Sequence, residues 1–272
     1  MTEFLQGYMP VLASEMGHLG DNLNGLLHWL MLVLFVGWGS FFIYTLIRFN
    51  SSNNPKASYY GITNHYSTYT EIGVVAFEAL LLIGFAIPGY YAVKYDKVDT
   101  ISNEIEVRVV AQQFAWNIHY PGADGKFGTT RVNLVDEESN PIGLDRNGYG
   151  ADDITTINQL HLPVNKMAKL YISSKDVIHS FSLPEMRVKQ DAVPGMQIPI
   201  YFTPTMTSDQ LLSKLEGSAR EGRGYEIACA QLCGNSHYRM KGNMTIHNEE
   251  EYFSWLNNQA EILLEDDEEE DW

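Results

Sequence analysis

Two long apolar stretches near the start of the chain limit its fold more than any other feature. The first covers residues 26–47 and contains no Asp, Glu, Lys or Arg, and the second covers residues 72–93 and has Glu78 as its charged residue. A helix needs about twenty apolar residues to cross a bilayer, and each stretch reaches that length. A buried helix of a soluble protein is the alternative, but such helices are usually shorter. The two stretches therefore predict a transmembrane hairpin.

The charges that flank these spans predict their orientation. The connecting loop, residues 48–70, carries Arg48 and Lys56 and no acid, whereas the segment before the first span is acidic and has no Lys or Arg. Basic loops stay in the cytoplasm, so we expect the N-terminus and the large C-terminal region outside. The same acidic start gives no clear secretory signal. Four aromatic residues are expected near the outer interface, namely Trp29, Tyr90, Tyr91 and Tyr95.

Beyond residue 100 the pattern changes from long apolar runs to short alternating ones. Residues 105–111, 168–174 and 197–203 alternate apolar and polar side chains, as half-buried strands do. Turn residues separate these runs, and helices do not alternate with strands. This pattern predicts an antiparallel β-sandwich with a short helix at residues 207–220 and an inserted Asp- and Gly-rich loop before Ile154.

The sequence predicts four segments. They are an outer N-terminal segment (1–24), the hairpin (25–95, with its cytoplasmic loop at about 48–70), the β domain (100–250) and an acidic C-terminal tail (251–272). Residues 265–271 are too charged to pack, so we expect a disordered, solvating end. The net charge of −16 argues against nucleic acid as a partner and favours a basic partner or simple solubility.

One short loop contains both cysteines of the chain, together with a histidine and a methionine. These residues are Cys229, Cys233, His237 and Met240. Thiolate and thioether are soft ligands, and together with imidazole they suit copper. A disulfide between cysteines this close would close only a small loop, and zinc sites seldom use methionine. The loop therefore favours a copper site over a disulfide or a zinc site.

A further histidine has the sequence context of a metal ligand. A lone histidine is usually an ordinary surface or core residue, but His179 lies within Asp176-Val-Ile-His-Ser-Phe-Ser-Leu-Pro. This pattern predicts that His179 ends a strand of the sandwich. Two neighbouring strands that end at the same edge would bring it to the cysteine loop, so we expect it to be the upstream ligand.

These motifs together give the chain a family resemblance. From about residue 26 to the end of the predicted sandwich, the chain resembles subunit II of the haem-copper oxidases, specifically of cytochrome c oxidase. The matching motifs are Val177-Ile-His-Ser-Phe, Lys189-Gln-Asp-Ala-Val-Pro-Gly and Cys229-Ala-Gln-Leu-Cys-Gly-Asn-Ser-His-Tyr-Arg-Met. The resemblance implies a two-helix membrane hairpin followed by a cupredoxin-like sandwich.

The resemblance also implies a binuclear, mixed-valence copper centre, called CuA. The resemblance implies that Cys229 and Cys233 supply the two bridging thiolates. It implies that His179 and His237 supply one imidazole to each copper. The two weak axial groups that it implies are Met240 and the backbone carbonyl of Gln231. Such a centre would receive electrons from cytochrome c and pass them to haem in subunit I, where oxygen is reduced. The implied partners are subunit I, subunit III, cytochrome c or a cytochrome c domain, and the lipid membrane, here a bacterial inner membrane.

Residues at three positions bear on other functions that the resemblance implies. Many family members have Glu where this chain has Gln231, so a magnesium site at the subunit I interface is left open. Phe114 replaces the tryptophan usually assigned to electron acceptance, and Trp116 follows two residues later, so either ring could mark that patch. Glu71 matches a glutamate at the mouth of a proton path, whereas Glu78 has no assigned role and could pair with a partner subunit.

Other classes of protein share parts of this pattern. A quinol oxidase subunit II would have the hairpin and the sandwich but lack the copper ligands. A membrane-anchored mononuclear cupredoxin carrier or a copper-delivery protein would need only one of the two cysteines. The CuA domain of nitrous oxide reductase has a similar loop but lacks this hairpin. The chain also has no Cys-x-x-Cys-His motif, so no c-type haem is expected on it.

Overall fold

The computed structural model describes residues 8–56, 59–61, 63–94 and 104–270. The chain divides into two compact units, one made of Met1–Met9 and Leu19–Asp96 and the other of Pro10–His18 and Lys97–Trp272. The first unit is helical, and the second contains the β domain.

Both predicted spans are helical. Helix α1 (Gly17–Arg48) contains the first, and the second is a continuous helical run of α2 (Tyr66–Leu81), a π-helical turn (Leu82–Ala86) and α3 (Ile87–Lys94). Gly17–Arg48 and Tyr66–Ala92 are each long and apolar enough to cross a membrane, and none of their most apolar residues is buried. So much exposed apolar surface is unfavourable in water and needs lipid or protein around it. Tyr95 lies outside the described residues, whereas the other three predicted interface aromatics are exposed: Trp29, Tyr90 and Tyr91.

The second unit is a sandwich of two five-stranded sheets. Its strands are β1 (Ile105–Gln112), β2 (Ala115–Tyr120), β3 (Ile154–Ile157), β4 (Gln159–Pro163), β5 (Ala168–Ser174), β6 (His179–Leu183), β7 (Val188–Ala192), β8 (Ile198–Phe202), β9 (Tyr225–Cys229) and β10 (Lys241–His247). One sheet has the order β3-β2-β1-β5-β8, and the other has the order β4-β10-β9-β6-β7. The three alternating runs singled out in the sequence are β1, β5 and β8.

The sandwich differs from the prediction in one respect, because each sheet contains a parallel pair. β1 pairs parallel with β5, and β10 pairs parallel with β4. Parallel neighbours need a long connection, which the chain provides by passing through other strands before it returns. Alternation of side chains does not show strand direction, so the prediction of purely antiparallel sheets was wrong in this detail.

The core lies between the two sheets and follows from the alternation. Val107, Val109 and Ala111 of β1 are fully buried, as are Leu160 and Leu162 of β4 in the facing sheet. These residues belong to one continuous cluster that also includes Cys233 and Met240. The cysteine loop is therefore anchored to the main core rather than to a separate one.

The segment before α1 packs on the sandwich. The Ala13 N–H donates to the Glu185 carbonyl (2.8 Å), and the Thr205 N–H donates to the Ala13 carbonyl (2.9 Å). The Ser14 hydroxyl donates to the Met186 carbonyl (2.6 Å). These contacts agree with the prediction that the N-terminal flank and the C-terminal region lie on the same side of the membrane.

The predicted short helix is confirmed. It is α4 (Ser208–Leu215), which begins with a capping box between Thr207 and Gln210. The capping box satisfies two backbone N–H groups that would otherwise lack partners at the helix start.

The end predicted to be disordered, residues 265–271, is helical as far as Glu270. Helix α5 (Glu249–Glu270) follows β10 directly. Tyr252 is buried, and the Trp255 ring stacks on His161 with 4.1 Å between centroids. Burial, followed by the charge of His247, lowers the pKa of His161 to about 4, so this stack is uncharged at neutral pH. The prediction was based on the acidic residues of this segment. It overlooked the apolar residues that are spaced along one face of the first turns of α5.

Candidate metal centre

The pairing of three strands brings the predicted ligands together. Antiparallel pairing of β6 with β9 sets Phe181 opposite Cys229, and β9 pairs antiparallel with β10. His179 is therefore at the start of β6, beside the end of β9 at Cys229. Our prediction that His179 ends a strand was wrong. In an antiparallel pair the first residue of one strand lies beside the last residue of its neighbour, so His179 begins β6 where β9 ends.

The loop between β9 and β10 returns its side chains to the same point. It contains Cys233 and a single 3₁₀ turn (His237–Arg239), and Met240 directly precedes β10. Gly234 adopts φ +139°, and a Cβ atom there would lie 2.7 Å from the Gln113 amide nitrogen and 3.0 Å from the Phe114 ring. The close approach to these two residues requires glycine at this position.

Each of the six predicted donor groups lies within 3.9 Å of at least one other. The Cys229 and Cys233 sulfurs are 3.8 Å apart, and each faces an imidazole Nδ1: His179 lies 3.9 Å from Cys229, and His237 lies 3.6 Å from Cys233. The Met240 sulfur is 3.1 Å from His179 Nδ1 and 3.7 Å from the Cys233 sulfur. The Gln231 carbonyl oxygen is 3.2 Å from the Cys229 sulfur.

The chemistry of these donors fits a bound copper. Both cysteines are free, and their 3.8 Å separation is far longer than the roughly 2.05 Å of a disulfide. Burial, and then the hydrogen bond and the charge of Cys229, raise the pKa of Cys233 to about 11. A cation beside Cys233 would favour its thiolate. A thioether and two imidazoles complete a soft donor set that suits copper.

Asp176 holds His179 from its far side. Its Oδ1 lies 2.8 Å from His179 Nε2, and its carboxylate accepts the backbone N–H groups of Gln113 and Val177, each at 2.6 Å. Burial acts to raise the pKa of Asp176, but these hydrogen bonds outweigh it and lower that pKa. The carboxylate is thus ionised at neutral pH and keeps the Nδ1 lone pair of His179 facing the sulfurs. We did not predict this role, although Asp176 and His179 stand three apart in a motif that we had noted.

The two rings proposed as the electron-accepting patch differ in exposure. Trp116 is 0% exposed and packs edge-on against His179 and Phe181, with centroids 6.2 Å and 5.3 Å away. It cannot form part of a surface patch, so that half of the hypothesis was wrong. Phe114 is half-buried beside the cysteine loop, which also presents Leu232 (77% exposed) and Tyr238 (73% exposed).

The two glutamates singled out in the second span belong to the helical unit. Glu71 is exposed in the second turn of α2 and accepts a hydrogen bond from the Ser67 hydroxyl at 3.0 Å. Glu78 is also exposed, further along the same helix. Neither residue belongs to the cluster of predicted metal ligands.

Comparison with known proteins identifies the family. Residues 105–246 match the model of the cytochrome c oxidase subunit II periplasmic domain. The chain is 30% identical over 251 residues to the alternative cytochrome c oxidase subunit 2 of Bradyrhizobium diazoefficiens, an alignment that covers 91% of this chain and 82% of the relative. It is 27% identical over 228 residues to cytochrome c oxidase subunit 2 of Cereibacter sphaeroides, covering 79% and 67% respectively.

Among solved structures, the periplasmic domain of subunit II of the Bradyrhizobium japonicum cytochrome oxidase is similar to this chain. The two are 23% identical, and the match covers 60% of this chain and 98% of the other, with a TM-score of 0.40.

The chain belongs to the cytochrome c oxidase subunit II family. It is the electron-accepting subunit of an oxidoreductase, and the site of oxygen reduction lies in another subunit. It is anchored in the membrane by its two apolar helices and has an outward-facing β domain. The predicted family, the two-helix anchor and the two-sheet sandwich are thereby confirmed.

Replacing Asp176 by Asn tests how His179 is held. Loss of such a supporting carboxylate weakens metal binding by roughly 10- to 100-fold. We therefore expect the Asp176→Asn protein to lose copper to a chelator at correspondingly lower concentration while its circular dichroism is unchanged. Asp191→Asn, an exposed carboxylate on β7 that accepts the Ser180 hydroxyl at 2.7 Å, is the matched control. Equal copper retention in parent and Asp176→Asn would contradict the role.

Proposed function

We propose that this chain accepts electrons from cytochrome c at a binuclear CuA centre and passes them to haem in subunit I. The observation that carries the proposal is the convergence of two free thiols, two imidazoles, a thioether and a carbonyl oxygen at one edge of the sandwich. In this proposal the hairpin spans residues 25–95, and the copper domain covers residues 100–250.

Each ligand has a defined task in the proposed centre. Cys229 and Cys233 would hold two coppers between them, His179 and His237 would each bind one copper, and Met240 and the Gln231 carbonyl would be weaker ligands. When bound, copper ions that share two thiolates exchange one electron with little change in bond length. The side chain of Gln231 is exposed and lacks the charge by which a carboxylate would bind magnesium, so the proposal includes no magnesium.

The surroundings of the ligands support fast electron exchange. His179, Cys233 and Met240 are buried. Neighbouring strands hold His179 and Cys229, the core holds Cys233 and Met240, and Asp176 fixes the ring of His179. Rigid, water-poor surroundings of this kind reorganise little when the charge at the site changes.

The donor that we propose is a basic cytochrome c, or a cytochrome c domain, that docks over the cysteine loop. The exposed Leu232 and Tyr238 and the half-buried Phe114 provide apolar contact there, and the net charge of −16 attracts a basic partner. Opposite charges steer such encounters, so docking weakens as salt rises. The remaining proposed partners are subunits I and III, and the proposed location is a bacterial inner membrane with the copper domain in the periplasm.

Removal of the Phe114 ring tests the docking site. An aromatic contact at the centre of an interface contributes enough binding energy that its loss lowers association about tenfold or more. We expect Phe114→Ala to lower the second-order rate of electron transfer from reduced cytochrome c by this factor, measured by stopped-flow absorbance at low salt. Phe253→Ala, which removes an exposed ring of α5, is the control and should leave the rate unchanged. Equal rates in Phe114→Ala and parent, or rates independent of salt, would count against docking at this loop.

For Glu71 we propose a role in collecting protons at the cytoplasmic edge of the membrane. A carboxylate that transfers protons accelerates that step by about a hundredfold or more, so Glu71→Gln should slow steady-state oxygen reduction roughly tenfold. Electron transfer from cytochrome c into the copper centre should stay at the parent rate, as stopped-flow measurement on the same oxidase would show. Glu250→Gln is the charge-matched control in α5. Parent turnover in Glu71→Gln would remove this role.

A further inference from the structure

A long loop covers the outer face of one sheet of the sandwich and leaves a cavity beneath it. The loop, residues 121–153, connects β2 to β3. The cavity has a volume of about 580 Å³ and is lined by β1, β2, β5 and the loop. We call it the loop cavity and define it by six of its polar lining residues: Arg108, His119, Thr129, Arg131, Ser173 and Lys175.

The loop cavity is cationic, although the chain carries a net charge of −16. Arg108, Arg131 and Lys175 line it, and no carboxylate is among its described lining residues. Arg131 pairs with Asp145 (3.2 Å) and Lys175 with Glu137 (3.0 Å). Arg108 makes no ion pair within the described part of the chain, and its guanidinium donates a hydrogen bond to the Gly128 carbonyl (3.1 Å). Arg108 therefore has no carboxylate at ion-pair distance among the described residues, although Asp153 and Glu106 attract it from further away.

Two buried nitrogen atoms on the walls of the cavity have no hydrogen-bond partner among the described residues. They are Arg108 Nε and His119 Nδ1, and their residues are direct cross-strand neighbours on β1 and β2. His119 is 0% exposed, and its other ring nitrogen is held by Asp153 at 2.5 Å. Asp153 is itself fixed by the N–H groups of Gly122 (3.2 Å) and Gly128 (2.7 Å). Buried polar atoms normally find a partner, so these two atoms point to a bound ligand.

The remaining walls indicate the shape of that ligand. The Phe127 ring lies 4.1 Å below the Arg108 guanidinium and holds it in place. Apolar side chains, namely Val110, Val132, Val135 and Ile142, line the rest of the cavity. A ligand with one acidic group and a small apolar body would satisfy both the cation and the apolar walls.

We propose that the loop cavity binds a small anion through Arg108, with a carboxylate or a phosphate as the acidic group. Guanidinium groups bind both anions through charged hydrogen bonds. Arg131 and Lys175, each paired with a carboxylate, offer further hydrogen-bond donors at the site, and His119 completes its polar wall. The proposal is independent of the copper centre, because none of its residues is a predicted metal ligand.

Equilibrium dialysis of the full chain in an uncharged detergent tests this site, with inorganic phosphate and benzoate as separate probes. We expect one saturable site per chain for at least one probe, and competition between the two if both bind. Saturation by phosphate alone would assign a phosphate ligand, and saturation by benzoate alone would assign a carboxylate. Arg108→Gln should weaken binding at least tenfold. Lys126→Gln, which removes the same charge from an exposed position of the same loop, should leave binding unchanged.

A second variant keeps the test decisive if Arg108→Gln fails to fold. The Arg131 side chain is 61% exposed, so Arg131→Gln leaves the core intact and should still weaken binding several-fold. Absence of saturable binding by either probe would overturn the proposal, because the two nitrogen atoms would then be satisfied by water alone. Unchanged binding in the folded Arg108 and Arg131 variants, or an equal loss in Lys126→Gln, would overturn it as well.

Discussion

The antiparallel pairing of β6, β9 and β10 is the interaction on which the metal centre depends. It brings the start of β6 beside the end of β9, so that His179 and Cys229 become neighbours although they are far apart in the chain. The following loop needs only to return Cys233, His237 and Met240 to the same edge. The backbone hydrogen bonds of a sheet thus fix the ligand positions before any metal binds, and burial of Cys233 and Met240 in the main core holds the loop down.

A site of this kind combines rigidity with poor ionisation of the Cys233 thiol. Burial of Cys233, and then the neighbouring Cys229, raise the pKa of Cys233. A cation reverses that preference, because its charge stabilises both thiolates at once. The ionised Asp176 on the far side of His179 adds negative charge and orients the ring. The geometry therefore favours a metal that accepts soft sulfur ligands and carries positive charge into a water-poor site.

Several features were predictable from the sequence because they depend on local patterns. The long apolar runs predicted the two spans, and the alternation of apolar and polar residues predicted strands β1, β5 and β8. The spacing of soft ligands predicted a metal site at the cysteine loop. Features that depend on how distant segments pair were missed, such as the position of His179 at the start of β6 and the parallel pairs of each sheet. Trp116 is buried because the opposite sheet packs over it. The residues around Trp116 in the sequence do not indicate that packing. The acidic composition of α5 hid the apolar face that packs Trp255 on His161.

The number of coppers bound by the chain distinguishes a binuclear centre from a mononuclear one. The purified full chain, without its partner subunits, would be loaded with copper, and metal content would be measured together with the electron paramagnetic resonance spectrum. We expect two coppers per chain and one unpaired electron shared equally between them. The Cys229→Ser protein should lose the electron paramagnetic resonance signal of that shared electron. A single copper per chain with a localised electron would contradict the binuclear centre and would favour a mononuclear cupredoxin-type carrier.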